Sequence, residues 1–256
     1  MATGLLVIGH GSRDNAGLAE YEQAVRLVAA RLPDVVVQAS YLELAEPTIG
    51  AGLERLVAAG AARILAVPLL LLAAGHARRD IPAELSDASR RWPGLDIRLA
   101  GHLGCHARLL ELSQLRLYEG LRMCGESGAA AAGSWRLIVV GRGSSDEQAR
   151  QELGEYVRAL AERMGASGVE IAYVAAAHPR LGEALSKYEG LPGTRLLVLP
   201  HLLFQGEVLR EIRECVAGFC KRNPASRVCV APHLGPSPLL VDVIEARWQE
   251  AQRGPA

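Results

Sequence analysis

The sequence has no apolar run long enough to span a bilayer, and Met1-Ala2-Thr3-Gly4 places no basic segment ahead of the short apolar stretch Leu5 to Ile8. A membrane span and a secretory leader are therefore not expected, and Leu5 to Ile8 reads as a first strand. Excess charge of either sign is also missing: 28 Lys and Arg balance 28 Asp and Glu, and no basic run with interleaved aromatics occurs. Phosphate backbones call for such an excess, so nucleic acid is not an expected partner, and any anion bound is small. Cysteine is sparse, odd in number (Cys105, Cys124, Cys215, Cys220, Cys229) and without a C-x-x-C pair. That usage predicts no disulfide or zinc framework and fits a reducing cytoplasm.

Several catalytic signatures are absent too. Gly9-His10-Gly11-Ser12-Arg13-Asp14 lacks the third glycine of a dinucleotide fingerprint, no G-x-x-x-x-G-K-[ST] phosphate loop occurs, and no G-x-S-x-G elbow is present. Nucleotide cofactors and serine-based acyl transfer lose their anchors. What remains is half hydrophobic residues with 22% charged, the balance of an ordinary soluble globular protein long enough for one large domain or two compact ones.

An internal duplication is the strongest positive signal. Leu6-Val7-Ile8-Gly9-His10-Gly11-Ser12 aligns with Ile138-Val139-Val140-Gly141-Arg142-Gly143-Ser144, 132 residues further on, and Tyr41, Pro47 and Pro68 meet Tyr173, Pro179 and Pro200 at the same offset. After one deletion His102-Leu103-Gly104 meets His233-Leu234-Gly235. Between the copies, Gly125 to Ser134 has linker composition, which predicts an N-terminal lobe over 1–124, a linker over 125–134 and a C-terminal lobe over 135–256. In the first copy the apolar runs Leu5 to Ile8, Val35 to Tyr41, Arg63 to Leu71 and Asp96 to Leu99 read as strands. Strands apolar on both faces and separated by helices imply parallel sheets covered on both sides. Leu18, Tyr21, Val25, Val28 and Leu32, and in the second copy Leu153, Val157, Leu160 and Met164, follow the three-four spacing of helices with one apolar face. The expected fold is α/β, two similar doubly wound lobes.

In such sheets ligands bind at the carboxyl ends of the strands, beside helix N-termini. That rule selects His10 after the first strand, Glu43 after the second and His76 after the third. Two imidazoles and a carboxylate suit a divalent transition metal and can accept protons near neutral pH. Each has a plainer alternative. A loop histidine is often solvated, and Glu43 could cap the helix beginning near Pro47. His102 recurs as His233 and reads as part of a shared turn, while His106, His178 and His201 read as structural or surface residues.

These residues lie in segments that resemble the sirohydrochlorin cobaltochelatase and ferrochelatase family, the class II chelatases, in its long two-copy form. They are Gly9-His10-Gly11-Ser12-Arg13, Leu42 to Ile49 (LELAEPTI) and Pro68 to His76 (PLLLLAAGH), and the likeness extends over nearly the whole chain. The resemblance implies a metal-free tetrapyrrole as small-molecule substrate, insertion of Co²⁺ or Fe²⁺ without nucleotide hydrolysis, no permanently bound cofactor, and His10, His76 and Glu43 as catalytic and metal-binding residues. Tetrapyrrole carboxylates would be held by Ser12, Arg13, Arg78 and Arg142, with Arg79 nearby, or else the arginines form a solvated face. Arg142 replaces His10 in the second copy, Ala175 replaces Glu43 and Glu207 replaces His76, so one active cleft per chain, in a monomer, is expected. Arg142 either holds a carboxylate or pairs with Asp146 or Glu207. The alternatives are a histidine phosphatase, disfavoured because Gly9 stands where an arginine should precede the histidine, and a non-catalytic tetrapyrrole or metal carrier.

Overall fold

The computed structural model describes residues 2–72, 75–126, 134–166 and 168–253, with the side chains of His76 and Ala77 outside that description. The first copy runs β1 (Ala2–Gly9), α1 (Asn15–Arg31), β2 (Val36–Tyr41), α2 (Ile49–Ala58), β3 (Ala61–Pro68), α3 (Gly75–Arg91), β4 (Asp96–Leu99) and α4 (Ala107–Met123). The second repeats it as β5 (Arg136–Gly141), α5 (Glu147–Met164), β6 (Val169–Tyr173), α6 (Leu181–Ser186), β7 (Arg195–Pro200), α7 (Glu207–Arg222), β8 (Arg227–Val230) and α8 (Pro238–Arg253). Each copy contributes a four-stranded parallel sheet, β2-β1-β3-β4 and β6-β5-β7-β8. Among the described residues no helix is long and apolar enough to cross a membrane.

Local chemistry starts and stops these elements. Asp14 caps α1 by accepting from the N–H groups of Ala16 and Gly17 at 2.9 and 3.2 Å, and Asp146 caps α5 through Gln148 N–H at 3.0 Å. α5 ends at Gly165 in the left-handed conformation, φ 59°. On α1 the predicted stripe is buried at Tyr21, Val25, Val28 and the terminal Leu32, and on α5 at Leu153, Val157, Leu160 and Met164. β3 stops at Pro68, three residues before its apolar run ends. Leu69 N–H still bonds Ile8 O at 2.7 Å, but Leu70 and Leu71 turn their carbonyls to Leu103 and Gly104 N–H (2.9 and 3.1 Å). Leu202 and Leu203 receive Leu234 and Gly235 in the same way, which gives the repeated His-Leu-Gly tripeptide its structural role as a clasp on the preceding loop.

The chain divides into two compact units, residues 1–108 with 236–256, and residues 109–235. The expected lobes over 1–124 and 135–256 are corrected accordingly: the helix after β4 belongs to the second sheet, and the helix after β8 to the first. In the first unit Arg98 Nη1 donates to Gln252 O at 2.9 Å, Arg31 pairs with Asp242 at 3.2 Å, and Arg247 Nη2 donates to Leu103 O at 2.9 Å. In the second, Tyr156 Oη donates to Leu109 O at 2.9 Å, and Arg116 Nη2 donates to Leu234 O at 2.7 Å. Arg116 and Arg247 are equivalents in the two copies. Each unit thus borrows its last helix from the other repeat, and the same arginine anchor docks it. In the first unit α2 and α3 cover one sheet face through Leu53, Leu56, Ile81 and Leu85, while α1 and α8 pack together and α8 lies on β3.

The absence of a disulfide is also corrected. Cys124 and Cys229 are bonded, with Cα atoms 6.2 Å apart, joining the end of α4 to β8 within the second unit. Cys105, Cys215 and Cys220 take no part in a disulfide. Two cysteines 105 residues apart with no motif between them gave no local signal; the borrowed helix brings them together.

Candidate functional site

The strand order β2-β1-β3-β4 places the reversal of winding between β1 and β3, where loops leaving neighbouring carboxyl ends part to opposite faces and open a crevice. His10 follows β1 directly. The parallel pairing continues one step beyond the strands, because Leu42 N–H donates to Gly9 O at 2.9 Å and Glu43 N–H to His10 O at 3.1 Å. That bonding makes His10 and Glu43 lateral neighbours. Their side chains approach at Nδ1–Oε1 3.4 Å, with 42% and 55% of each exposed to solvent.

The glycines around His10 are steric requirements. A Cβ on Gly9 would come within 2.7 Å of the Tyr21 ring, and one on Gly11, at φ 95°, within 1.7 Å of Glu43 O. Tyr21 lies beneath the loop, its hydroxyl donating to Val7 O or Ser40 O at 2.8 and 2.9 Å, and burial pushes its phenol pKa well up, so it stays a neutral structural group. Gly143 repeats the Gly11 arrangement at φ 96° against Ala175 O. The Gly-x-Gly-Ser string therefore lets the loops after β1 and β2, or β5 and β6, approach closely, and no nucleotide contact is needed to account for it.

Glu43 does not cap α2. Thr48 does, accepting from Ala51 N–H at 3.2 Å, while Glu46 accepts from Thr48 N–H at 3.0 Å. With the capping role filled, the Glu43 carboxylate is left beside the imidazole. His76 is the second residue of α3, on the segment leaving β3; its side chain lies outside the described residues. Among the described residues no three His, Cys, Asp or Glu side chains cluster as a metal site. The described part of the predicted set is the His10–Glu43 pair.

Of the residues expected to hold substrate carboxylates, Ser12 serves the loop itself. Its Oγ accepts from Asp14 N–H at 3.0 Å, as Ser144 does for Asp146 at 3.0 Å. Arg13 and Arg79 are exposed and Arg78 is half-buried. Arg142 is exposed at the end of β5, while Asp146, one of the acids considered as its partner, caps α5. Sequence reasoning passed over Leu44, which follows Glu43 at φ 63° with 50% of its surface exposed; Ala176, its counterpart, has φ 54°. Among the remaining histidines, His178 meets Glu183 at 2.9 Å. His201 is buried against Tyr156, with ring centroids 4.5 Å apart, and burial lowers its pKa to about 4.

The chain is similar to known proteins over most of its length. The sirohydrochlorin cobaltochelatase of Priestia megaterium is 28% identical over 250 residues, spanning 98% of this chain and 80% of that protein. The sirohydrochlorin ferrochelatase of Bacillus subtilis (strain 168) is 31% identical over 238 residues, spanning 91% and 88%. The solved structure of SirB from Bacillus subtilis with Fe3+ superposes with a TM-score of 0.87 at 29% identity, covering 98% of this chain and 96% of that one. The family model for CbiX matches residues 4–120 and again 136–251, once per copy. The chain belongs to the CbiX family of metal chelatases, carrying the family's unit twice.

Proposed function

We propose that the protein inserts a divalent metal, Co²⁺ or Fe²⁺, into sirohydrochlorin at the carboxyl ends of β1, β2 and β3. The observation that carries this reading is the open His10–Glu43 pair, 3.4 Å apart beside the winding reversal of the first sheet and replaced by Arg142 and Ala175 in the second. The relatives' names supply the substrate class.

In the reaction M²⁺ enters the ring, two pyrrole N–H bonds break and two protons leave, so charge balances without a nucleotide. His10 presents a ring nitrogen to the metal or to a pyrrole proton, with the Glu43 carboxylate 3.4 Å from its Nδ1. His76, at the start of α3, supplies the second imidazole. Arg13 and Arg78 hold carboxylates at the substrate's rim, where a guanidinium forms charge-assisted hydrogen bonds. The chain acts as a monomer with one working site, which fits both copies being present in one polypeptide.

The test is to incubate the purified protein with sirohydrochlorin and Co²⁺ or Fe²⁺, without nucleotide, and follow the tetrapyrrole absorption. Conversion to the metal complex above the uncatalysed rate is expected. Tetrapyrrole binding with no acceleration for either metal would overturn catalysis in favour of a carrier.

A further inference from the structure

Leu44 presents an unexplained combination. Its φ of 63° lies in the left-handed region, which residues with a Cβ enter at a cost, and Ala176 shares the conformation at φ 54° in the second copy. The duplicated loop therefore imposes the geometry, whatever residue fills it. Glycine or asparagine would fill it at lower cost. The side chain gains only part of what full burial would give, because half of its surface is exposed. An apolar group held in water at a strained position gains free energy only when something apolar covers it. Leu44 directly follows Glu43, in the copy that keeps the His–carboxylate pair. The copy that lost the pair retains only a methyl at this place.

We propose that Leu44 is the contact for the apolar face of the tetrapyrrole ring, a substrate-binding residue that supports the macrocycle plane while His10 and Glu43 address its centre. The inference rests on the chelatase reading and deepens it. A tetrapyrrole has two chemically distinct parts: a rim of carboxylates that cationic side chains recognise, and a broad conjugated face that only apolar groups can cover without loss. The arginines answer the rim, and Leu44 answers the face.

The experiment titrates sirohydrochlorin, without metal, into the wild type and the Leu44→Ala, Leu44→Gly and Leu44→Met variants, following the tetrapyrrole absorption. Co²⁺ is titrated separately without tetrapyrrole, and thermal midpoints are recorded. The dissociation constant for sirohydrochlorin should rise roughly tenfold in the alanine and glycine variants, as expected for losing a leucine-sized apolar contact, and return toward the wild-type value with methionine. Co²⁺ affinity should not change, and the Leu44→Gly midpoint should equal or exceed that of the wild type. If glycine perturbs the loop, Leu44→Ala decides, since Ala176 shows alanine accommodated in this conformation. Unaltered sirohydrochlorin binding by both truncations, with the wild type binding normally, overturns the role of Leu44 and leaves the chelatase reading standing. A wild type that does not bind sirohydrochlorin overturns both.

Discussion

His10 is half-buried and Glu43 exposed, neither lies in the core, and their substitution should separate activity from folding. On the proposed function, Glu43→Gln keeps the size of the side chain but removes the charge beside the imidazole. Its chelation rate should fall roughly 100-fold, the usual size of a lost acid–base partner, with the thermal midpoint unchanged; steady-state rates and calorimetry check this. An unchanged rate would remove Glu43 from the mechanism. His201 behaves in the opposite way. Its buried ring nitrogens have no hydrogen-bond partner among the described residues, and its folded pKa of about 4 lies below the ordinary 6.5. Between these values the unfolded chain takes up a proton that the folded chain refuses. The stability present above about pH 6.5 is therefore lost as pH falls toward 4, by on the order of 3 kcal/mol. His201→Leu, which copies the equivalent Leu69, should flatten that part of the pH–stability curve, measured by chemical unfolding at several pH values. Candidate residues at strand ends were legible in the sequence because apolar runs locate those ends. The left-handed conformation of Leu44 was not, since it is a backbone angle that leucine does not advertise, nor was the hydrogen bond that the Ser12 hydroxyl accepts from Asp14 N–H.

The strand-to-helix loops after β1 and β5 follow one design and carry different chemistry. Gly11→Ala and Gly143→Ala each drive a methyl to within 1.7 Å of a backbone carbonyl at a positive φ. Each should cost about 2–4 kcal/mol in unfolding free energy, the range for steric strain at a special backbone position. Only Gly11→Ala should also abolish Co²⁺ binding by the protein that remains folded, because only that loop carries the His10–Glu43 pair. Denaturant titration together with metal titration of both variants checks the asymmetry, and equal loss of metal binding in the two would contradict it. The strands of the first copy were predicted from apolar runs, β4 to the residue, and α1 and α5 from apolar periodicity. The end of β3 was not, because Leu69 to Leu71 continue the apolar run while the backbone of Leu70 and Leu71 leaves the sheet to meet the His102-Leu103-Gly104 clasp.

The duplication and its parallel sheets were visible in the whole sequence, whereas the exchange of last helices was not. Amphipathic spacing shows that α4 and α8 each bury one face but does not name the sheet that receives it. The exchange has a testable consequence. α8 buries Leu240, Val241, Val243 and Ile244, and losing four such contacts, at about 1.5–3 kcal/mol each, approaches the whole stability of a typical domain. A fragment of residues 1–124, which contains every predicted metal ligand, should therefore unfold without a cooperative transition, and adding a peptide of residues 236–253 should restore one. Cooperative folding of the fragment alone would contradict the division into units. On the proposed function, one copy performs the chemistry and the other does not. That asymmetry is exposed by comparing cobalt insertion into sirohydrochlorin, followed by absorption at saturating substrate, for the wild type, His10→Ala and Arg142→Ala. His10→Ala should lose roughly 100-fold or more, while Arg142→Ala should keep its turnover at saturating substrate, because the second copy has no His–carboxylate pair. Full turnover by a folded His10→Ala protein would rule out chemistry at the first copy's histidine.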